Sequence, residues 1–372
     1  MSSHPASFRV ARVLGIPIFV HVSWLLIFGL IAWTLATGYF PQHYPNLPLR
    51  SYWARGLVAS LLFFGSILLH ELGHSVVAMR HGIPIRSITL FIFGGVARLA
   101  RDPADGRTEF KIAAAGPAVS LALGGVFYAV SVLGPVGEGG RAVARYLVFI
   151  NVAIALFNLV PAFPLDGGRL LRGLLWRVAG KGRATRTAAR AGTVFAYFLI
   201  VNGVYRVLLG EGIAGVWYVL IGWFLKEASE GAYRDVRLDE ALAGVTVADA
   251  MLREVATLPA DLSLAEAAQQ HFRRSGYGGY PVMRGEAVVG LLCLRDVLRR
   301  TPDEREVVSV QAAMTPLSPG IVAAPSESLL KASARMAESG LGRLIVLDGE
   351  RLSGLLTLTG VLRQVKIREQ LG

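Results

Sequence analysis

Apolar residues run almost unbroken through several long stretches of the first 227 positions; after residue 244 they thin into short alternating blocks. A membrane-spanning helix needs about 20 mainly apolar residues. Six stretches meet or approach that length: 17–38, 56–79, 111–133, 143–163, 192–210 and 213–227. The last is the shortest, and runs below about 17 residues also suit re-entrant or core helices. The segment 87–100, SITLFIFGGVARLA, alternates instead with the period of a strand. Beyond residue 244 the chain repeats itself. Met251 falls on Met314 and, one inserted residue later, Gly290 falls on Gly354. Each unit reads as a short strand, a helix, two strands and a helix. Neither buries its apolar face alone, so the two should pack on each other. The pattern predicts a polytopic α-helical membrane domain of six transmembrane helices over 1–227, a charged linker over 228–244 and an α/β domain over 245–372.

Composition sharpens this division. Apolar residues make up 53% of the 372-residue chain and charged residues 17%, against about a quarter charged in soluble domains. The single cysteine, Cys293, excludes an intrachain disulfide framework. The N-terminus lacks the pattern of a cleavable signal, so the first apolar run is expected to remain. The net charge of +12 suits either a nucleic-acid surface or cytoplasmic loops rich in Arg and Lys. Its distribution favours the loops: 80–111 and 164–191 hold most of the basic residues flanking the spans, among them Arg98, Arg101, Arg177 and Arg183. The positive-inside rule then places both termini and the C-terminal domain in the cytoplasm of a multi-pass cell-membrane protein. No aromatic interleaving suggests nucleic acid.

Within the second span lies His70-Glu71-Leu72-Gly73-His74. Positions i and i+4 share a helix face, so two imidazoles can grip one metal ion with a glutamate beside them to activate water. Short HExxH matches arise by chance, but ionisable residues in lipid are costly and mark function by default. A catalytic zinc usually has three protein ligands. Asp166, in NLVPAFPLDGGR after the fourth span, is the best third candidate. Pro161 and Pro164 break the helix before it, and Gly167 and Gly168 permit a tight turn that folds the carboxylate back. Read alone, LDGG is also simply a turn.

HELGH together with Asn158, Pro161, Pro164, Leu165, Asp166, Gly167 and Gly168 resembles the site-2 proteases, zinc metalloproteases that cleave within membranes. The likeness covers about residues 8–226. It implies that His70, His74 and Asp166 hold zinc, that Glu71 is the general base, and that Asn158 holds the substrate carbonyl or oxyanion. For Asn158 an interhelical hydrogen bond is the competing role; Asn151, on the same face, is assigned that structural part. The resemblance further implies that 87–100 belongs to a small membrane-dipping β-sheet, with Gly94 and Gly95 binding an extended substrate segment. A cytoplasmic hairpin with a Gly-Gly turn is the alternative. The stretch 113–125, AAAGPAVSLALGG, looks like the family's third span, its small residues permitting close helix approach. His21 could line the approach to the metal or be an interfacial, packed side chain.

The C-terminal repeat resembles a tandem pair of CBS domains (a Bateman module), which often bind adenosine nucleotides and regulate an attached enzyme. The family's nucleotide contacts pair a Thr or Ser with an Asp three residues on. Here one repeat keeps Asp296 but has Cys293, and the other keeps Thr357 but has Gly360. Nucleotide binding and a dimerising or docking role both stay open.

The expectation is an intramembrane zinc endopeptidase acting in regulated intramembrane proteolysis. Single-span membrane proteins, such as anti-sigma factors or membrane-held regulators, are the substrates the resemblance implies. A CBS-gated transporter and an inactive scaffold are the rivals. Transport has no use for Glu71, and a scaffold has none for a complete ligand set.

Overall fold

The computed structural model describes residues 7–371. The chain divides into two compact units, the first ending at Val236 and the second beginning at Arg237.

The first unit opens with two strands, β1 (Ser7–Val13) and β2 (Ile16–His21). The first predicted span therefore starts late. Across the start of 17–38, in β2, Ile16, Ile18 and Val20 alternate as buried residues on one face, and these β-branched side chains favour a pleated strand over a helix. Helix α1 (Val22–Thr34) begins after His21, whose Nδ1 accepts from the Ser23 amide. This N-cap is a local role; among the described residues, no hydrogen bond of His21 reaches His70, His74 or Asp166. A π-helical turn (Leu35–Tyr39) leads into α2 (Phe40–His43). Then follow α3 (Leu49–Arg80), β3 (Ile85–Phe91), β4 (Gly94–Leu99), α4 (Gly106–Leu133), α5 (Glu138–Asn158), α6 (Asp166–Leu208) and α7 (Gly212–Leu242).

Among the described residues, five helical segments are long and apolar enough to cross a membrane: Val22–His43, α3, α4, α5 and α6. Large apolar side chains such as Leu26, Leu61, Val126, Phe149 and Val201 stand exposed on them. A water-facing surface would not tolerate so many. The span expected at 192–210 is the second half of α6, a 43-residue element broken at Gly180, where φ 80 and ψ 160 leave helical space. The stretch expected as a linker, 228–244, is helical to Leu242, continuing α7. Its alternating Glu, Asp and Arg residues hide the helix from an apolar-run reading but do not oppose it.

The four strands form one sheet in the order β1-β2-β3-β4. β2 and β3 are parallel and the other pairs antiparallel, so β4 is an edge. Gly94 and Gly95 are not the hairpin turn. Ile92 and Phe93 make it, and the glycines open β4, Gly94 opposite Phe91 and Gly95 opposite Leu90. The sheet packs directly on the HExxH helix, because Leu72 joins a core of Ile16, Ile18 and Ile88.

In the second unit, two sheets carry the predicted repeat. One is β5 (Leu258–Pro259), β6 (Gly279–Arg284), β7 (Ala287–Cys293) and β8 (Thr315–Pro316); the other is β9 (Val322–Ala323), β10 (Arg343–Asp348) and β11 (Arg351–Thr357). The repeats exchange contacts reciprocally. β8, from the second repeat, pairs with β7 of the first, while Leu252 of the first bridges Leu355 of the second. A Cβ at Gly354 would meet Met251 Sδ at 3.0 Å, and one at Gly290 would meet Met314 Sδ at 2.7 Å. The matched Met and Gly positions are thus the two halves of one interlock.

Replacing Gly354 with Val should break one half of it. The backbone of Leu252 cannot yield as a side chain can, so overpacking should cost about 1–3 kcal/mol. Thermal unfolding of the full chain in detergent should show an earlier transition for the second unit and an unchanged one for the first.

Candidate metal centre

Helix α3 presents His70 and His74 one turn apart on a buried face. Both lean on α4. His74 Nδ1 lies 2.6 Å from the Ile112 carbonyl, which can only accept, so Nδ1 carries the proton and Nε2 keeps its lone pair. His70 Nδ1 lies 2.9 Å from the hydroxyl of Ser120, which is fully buried. The two Nε2 atoms face each other at 3.2 Å. Asp166 completes the group, its Oδ2 lying 3.1 Å from each Nε2.

These separations fit a metal ion. In a tetrahedral zinc site with bonds of about 2.0–2.1 Å, two ligand atoms lie roughly 3.3 Å apart. Unprotonated lone pairs at such distances repel unless a cation or proton lies between them. Among the described residues, His70, His74 and Asp166 form the one group of this kind able to hold a metal, and all three are buried. Gly116 of α4 closes the floor. A Cβ there would come within 2.5 Å of His70 Nε2 and nearer still to His74 Nε2. The space in front of both nitrogens therefore exists because residue 116 has no side chain.

Asp166 is the first residue of α6, where the helix dipole favours a carboxylate. The expected tight turn at Gly167 and Gly168 is absent, since both are helical. They are small for another reason: a Cβ on Gly167 would strike the Leu159 and Val160 carbonyls, and one on Gly168 the backbone of Phe163. The turning is done by residues 159–165 before them. That loop is pinned from two sides: the Phe163 amide donates to Ala188 O at 3.1 Å, and the Ser229 hydroxyl of α7 donates to Phe163 O.

Glu71, next to His70 in the chain, is partly exposed. A Cβ on Gly95 would lie 2.6 Å from Glu71 Cγ and 3.4 Å from its Oε1. The edge strand β4 thus runs against this carboxylate. At the turn leading into β4, Phe93 stacks on Phe224 of α7 with ring centroids 4.4 Å apart.

Asn158, the last residue of α5, donates from Nδ2 to Ile154 O at 3.0 Å within its own helix. The described contacts do not join it to the metal group. Asn151 makes the interhelical bond expected of it, Nδ2 donating to Ser66 Oγ at 3.2 Å. In the second unit, Asp296 Oδ2 accepts from the Cys293 amide and Thr357 Oγ1 from the Gly360 amide. Both are helix-cap bonds.

Several contributors escape sequence reasoning. Ser120, the Ile112 carbonyl and Gly116 lie on α4, where AAAGPAVS reads only as a small-residue packing face. Glu109, fully buried, accepts from Arg169 Nε at 3.0 Å and Arg172 Nη2 at 2.6 Å. It had no visible partner in the sequence, because those arginines lie far along the chain. Asp105 caps α4 by accepting from the Arg107 and Thr108 amides. Bonds to the Thr108 amide and hydroxyl, then to the Arg107 amide, hold its carboxyl below the usual range.

Comparison with known proteins bears on both units. The profile of Peptidase family M50 matches residues 58–136 and 134–201, and that of the CBS domain matches 247–303 and 309–367. Rip3 of Mycobacterium tuberculosis is 36% identical over 364 residues, spanning 96% of this chain and 92% of Rip3. Zinc metalloprotease MJ0392 of Methanocaldococcus jannaschii is 28% identical, spanning 98% of this chain and 97% of MJ0392. Among solved structures, the site-2 protease from Methanocaldococcus jannaschii is 32% identical with a TM-score of 0.46, covering 61% of this chain and 95% of that one.

Two variants probe the geometry. Gly116→Ala should abolish stoichiometric metal binding while circular dichroism stays that of the folded chain, because the methyl fills the space before both imidazoles. Ser120→Ala should leave His70 less firmly oriented and weaken metal affinity by about 10–100-fold, as read by competition with a chromogenic chelator.

Proposed function

The chain belongs to Peptidase family M50, and from that membership we propose that it is a zinc metalloendopeptidase of the membrane, hydrolysing peptide bonds in or near transmembrane segments of single-span proteins. The carrying observation is the buried trio His70, His74 and Asp166 beside Glu71, on helices long and apolar enough to span a bilayer.

His70 and His74 would hold zinc through Nε2, with Asp166 as the third ligand. Bound there, zinc supplies Lewis acidity, polarising a carbonyl and lowering the pKa of water toward about 7. Glu71 takes the proton of the attacking water as the new C–O bond forms. It then returns a proton to the amine nitrogen as the C–N bond breaks. A helical substrate hides its peptide bonds, so the scissile segment must be extended before attack. The free edge of β4, which opens with Gly94 and carries Gly95 beside Glu71, suits an added strand that replaces the lost backbone bonds. Asn158 would leave the Ile154 carbonyl to hold the developing oxyanion. Both termini face the cytoplasm in this scheme, consistent with the basic loops. The CBS pair regulates the protease or dimerises it, and an adenosine nucleotide is the ligand to try there.

Glu71→Gln is the test. The variant should bind zinc as the parent does, while cleavage of a single-span reporter in proteoliposomes falls by at least about 10²-fold. Undiminished cleavage would contradict the assignment.

A further inference from the structure

The fully buried carboxylate of Glu109 binds two guanidinium groups through a single oxygen. Arg169 Nε and Arg172 Nη2 both donate to Oε1, and Oε2 has no partner among the described residues. Arg169 follows Asp166 by three residues in the first turn of α6, and residues so spaced are neighbours on a helix face. A buried guanidinium seeks a carboxylate, because leaving it unpaired in a low-dielectric site is costly. Two carboxylates are therefore within the reach of Arg169's part of the helix: Glu109 across the interface and Asp166 one turn back. The structure shows which one it takes. Arg169 is paired with Glu109, and Asp166 Oδ2 is turned to the two imidazoles.

We propose that Glu109 is a positioning residue of the metal centre, engaging Arg169 so that this guanidinium does not capture the Asp166 carboxylate that the metal needs. The proposal rests on the reading of His70, His74 and Asp166 as zinc ligands. It gives α4 two linked tasks. Near its start, Glu109 governs the charge around the carboxylate ligand; one turn later, the Ile112 carbonyl fixes the tautomer of His74. A neutral amide at 109 would release Arg169, and a charge-assisted, bidentate pair with Asp166 would then compete with the metal. A simple mechanical brace between α4 and α6 makes a different forecast, because a brace is damaged further when its second half is removed.

The test measures zinc affinity of the full chain in detergent by chelator competition, with the visible spectrum of the cobalt-substituted protein as a second readout. Thermal unfolding of the zinc-free protein serves as the fold control. Glu109→Gln should weaken zinc binding at least about tenfold and diminish the tetrahedral cobalt bands. Glu109→Gln/Arg169→Gln should recover most of both, although its zinc-free unfolding is no better than that of the single variant. Arg169→Gln alone should bind zinc at least as tightly as the parent, which decides the matter even where Glu109→Gln does not fold. Parent-like binding by Glu109→Gln overturns the proposal. So does a double variant no better than the single, or weakened binding by Arg169→Gln. If instead the parent takes up no zinc, or His70→Ala loses none, the ligand assignment itself fails, a result distinct from failure at Glu109.

Discussion

Three electron-pair donors, two imidazole nitrogens and one carboxylate oxygen, are held 3.1–3.2 Å from one another inside a bundle of apolar helices. Left to themselves they would turn apart. The fold must supply what keeps them converged, and much of the first unit serves that need. Helix α3 sets the imidazoles one turn apart. α4 fixes His70 through Ser120 and His74 through the Ile112 carbonyl, and leaves room at Gly116. The loop before α6 is tied to α7 by Ser229 and to α6 itself by Ala188, so that Asp166 arrives at the first turn of its helix. The same α7 stacks Phe224 on Phe93 at the turn leading into β4, the strand that passes Glu71. Chemistry on the two sides of the site is thus tied to a single helix.

Small residues make this convergence possible for two different reasons. Gly95 and Gly116 are small because a side chain of the candidate centre, Glu71 or an imidazole, occupies the volume a methyl would need. Gly167 and Gly168 are small because backbone passes there. In lipid, helices gain little from burying apolar surface against each other, so close contact and satisfied polar groups carry the association. Buried Ser66 and Ser120, both bonded, and the amide nitrogen of Asn151, bonded to Ser66 across the helices, fit that pattern.

Much of the site was legible in the sequence because its signals are local. HExxH states its own geometry through the helical period, and the Pro-rich approach to Asp166 announces a chain reversal. The division into an apolar helical part and a repeated α/β part was equally plain, since the repeat carries its matched Met and Gly residues. What stayed hidden is non-local or masked by composition. Glu109 reads as an ordinary charge in the first turn of a helix until Arg169 and Arg172 are brought to it. Strand β2 lies inside a run where nearly every residue is apolar, so its alternation of Ile16, Ile18 and Val20 has no polar contrast to reveal it. The helical state of the charged half of α7 leaves no trace in the apolar pattern, because helix formers with ionised side chains look alike whether helical or not. At Gly167 and Gly168 both residues are helical, and the fold uses glycine's lack of a Cβ rather than its freedom to turn.

The central claim is that one zinc ion is held by His70, His74 and Asp166, and zinc K-edge X-ray absorption of the purified chain tests it most directly. The account predicts two imidazole ligands at about 2.0–2.1 Å with oxygen completing the shell, and a changed oxygen shell in Asp166→Ala. A sulfur ligand, a shell without imidazole, or a spectrum untouched by loss of Asp166 would contradict it.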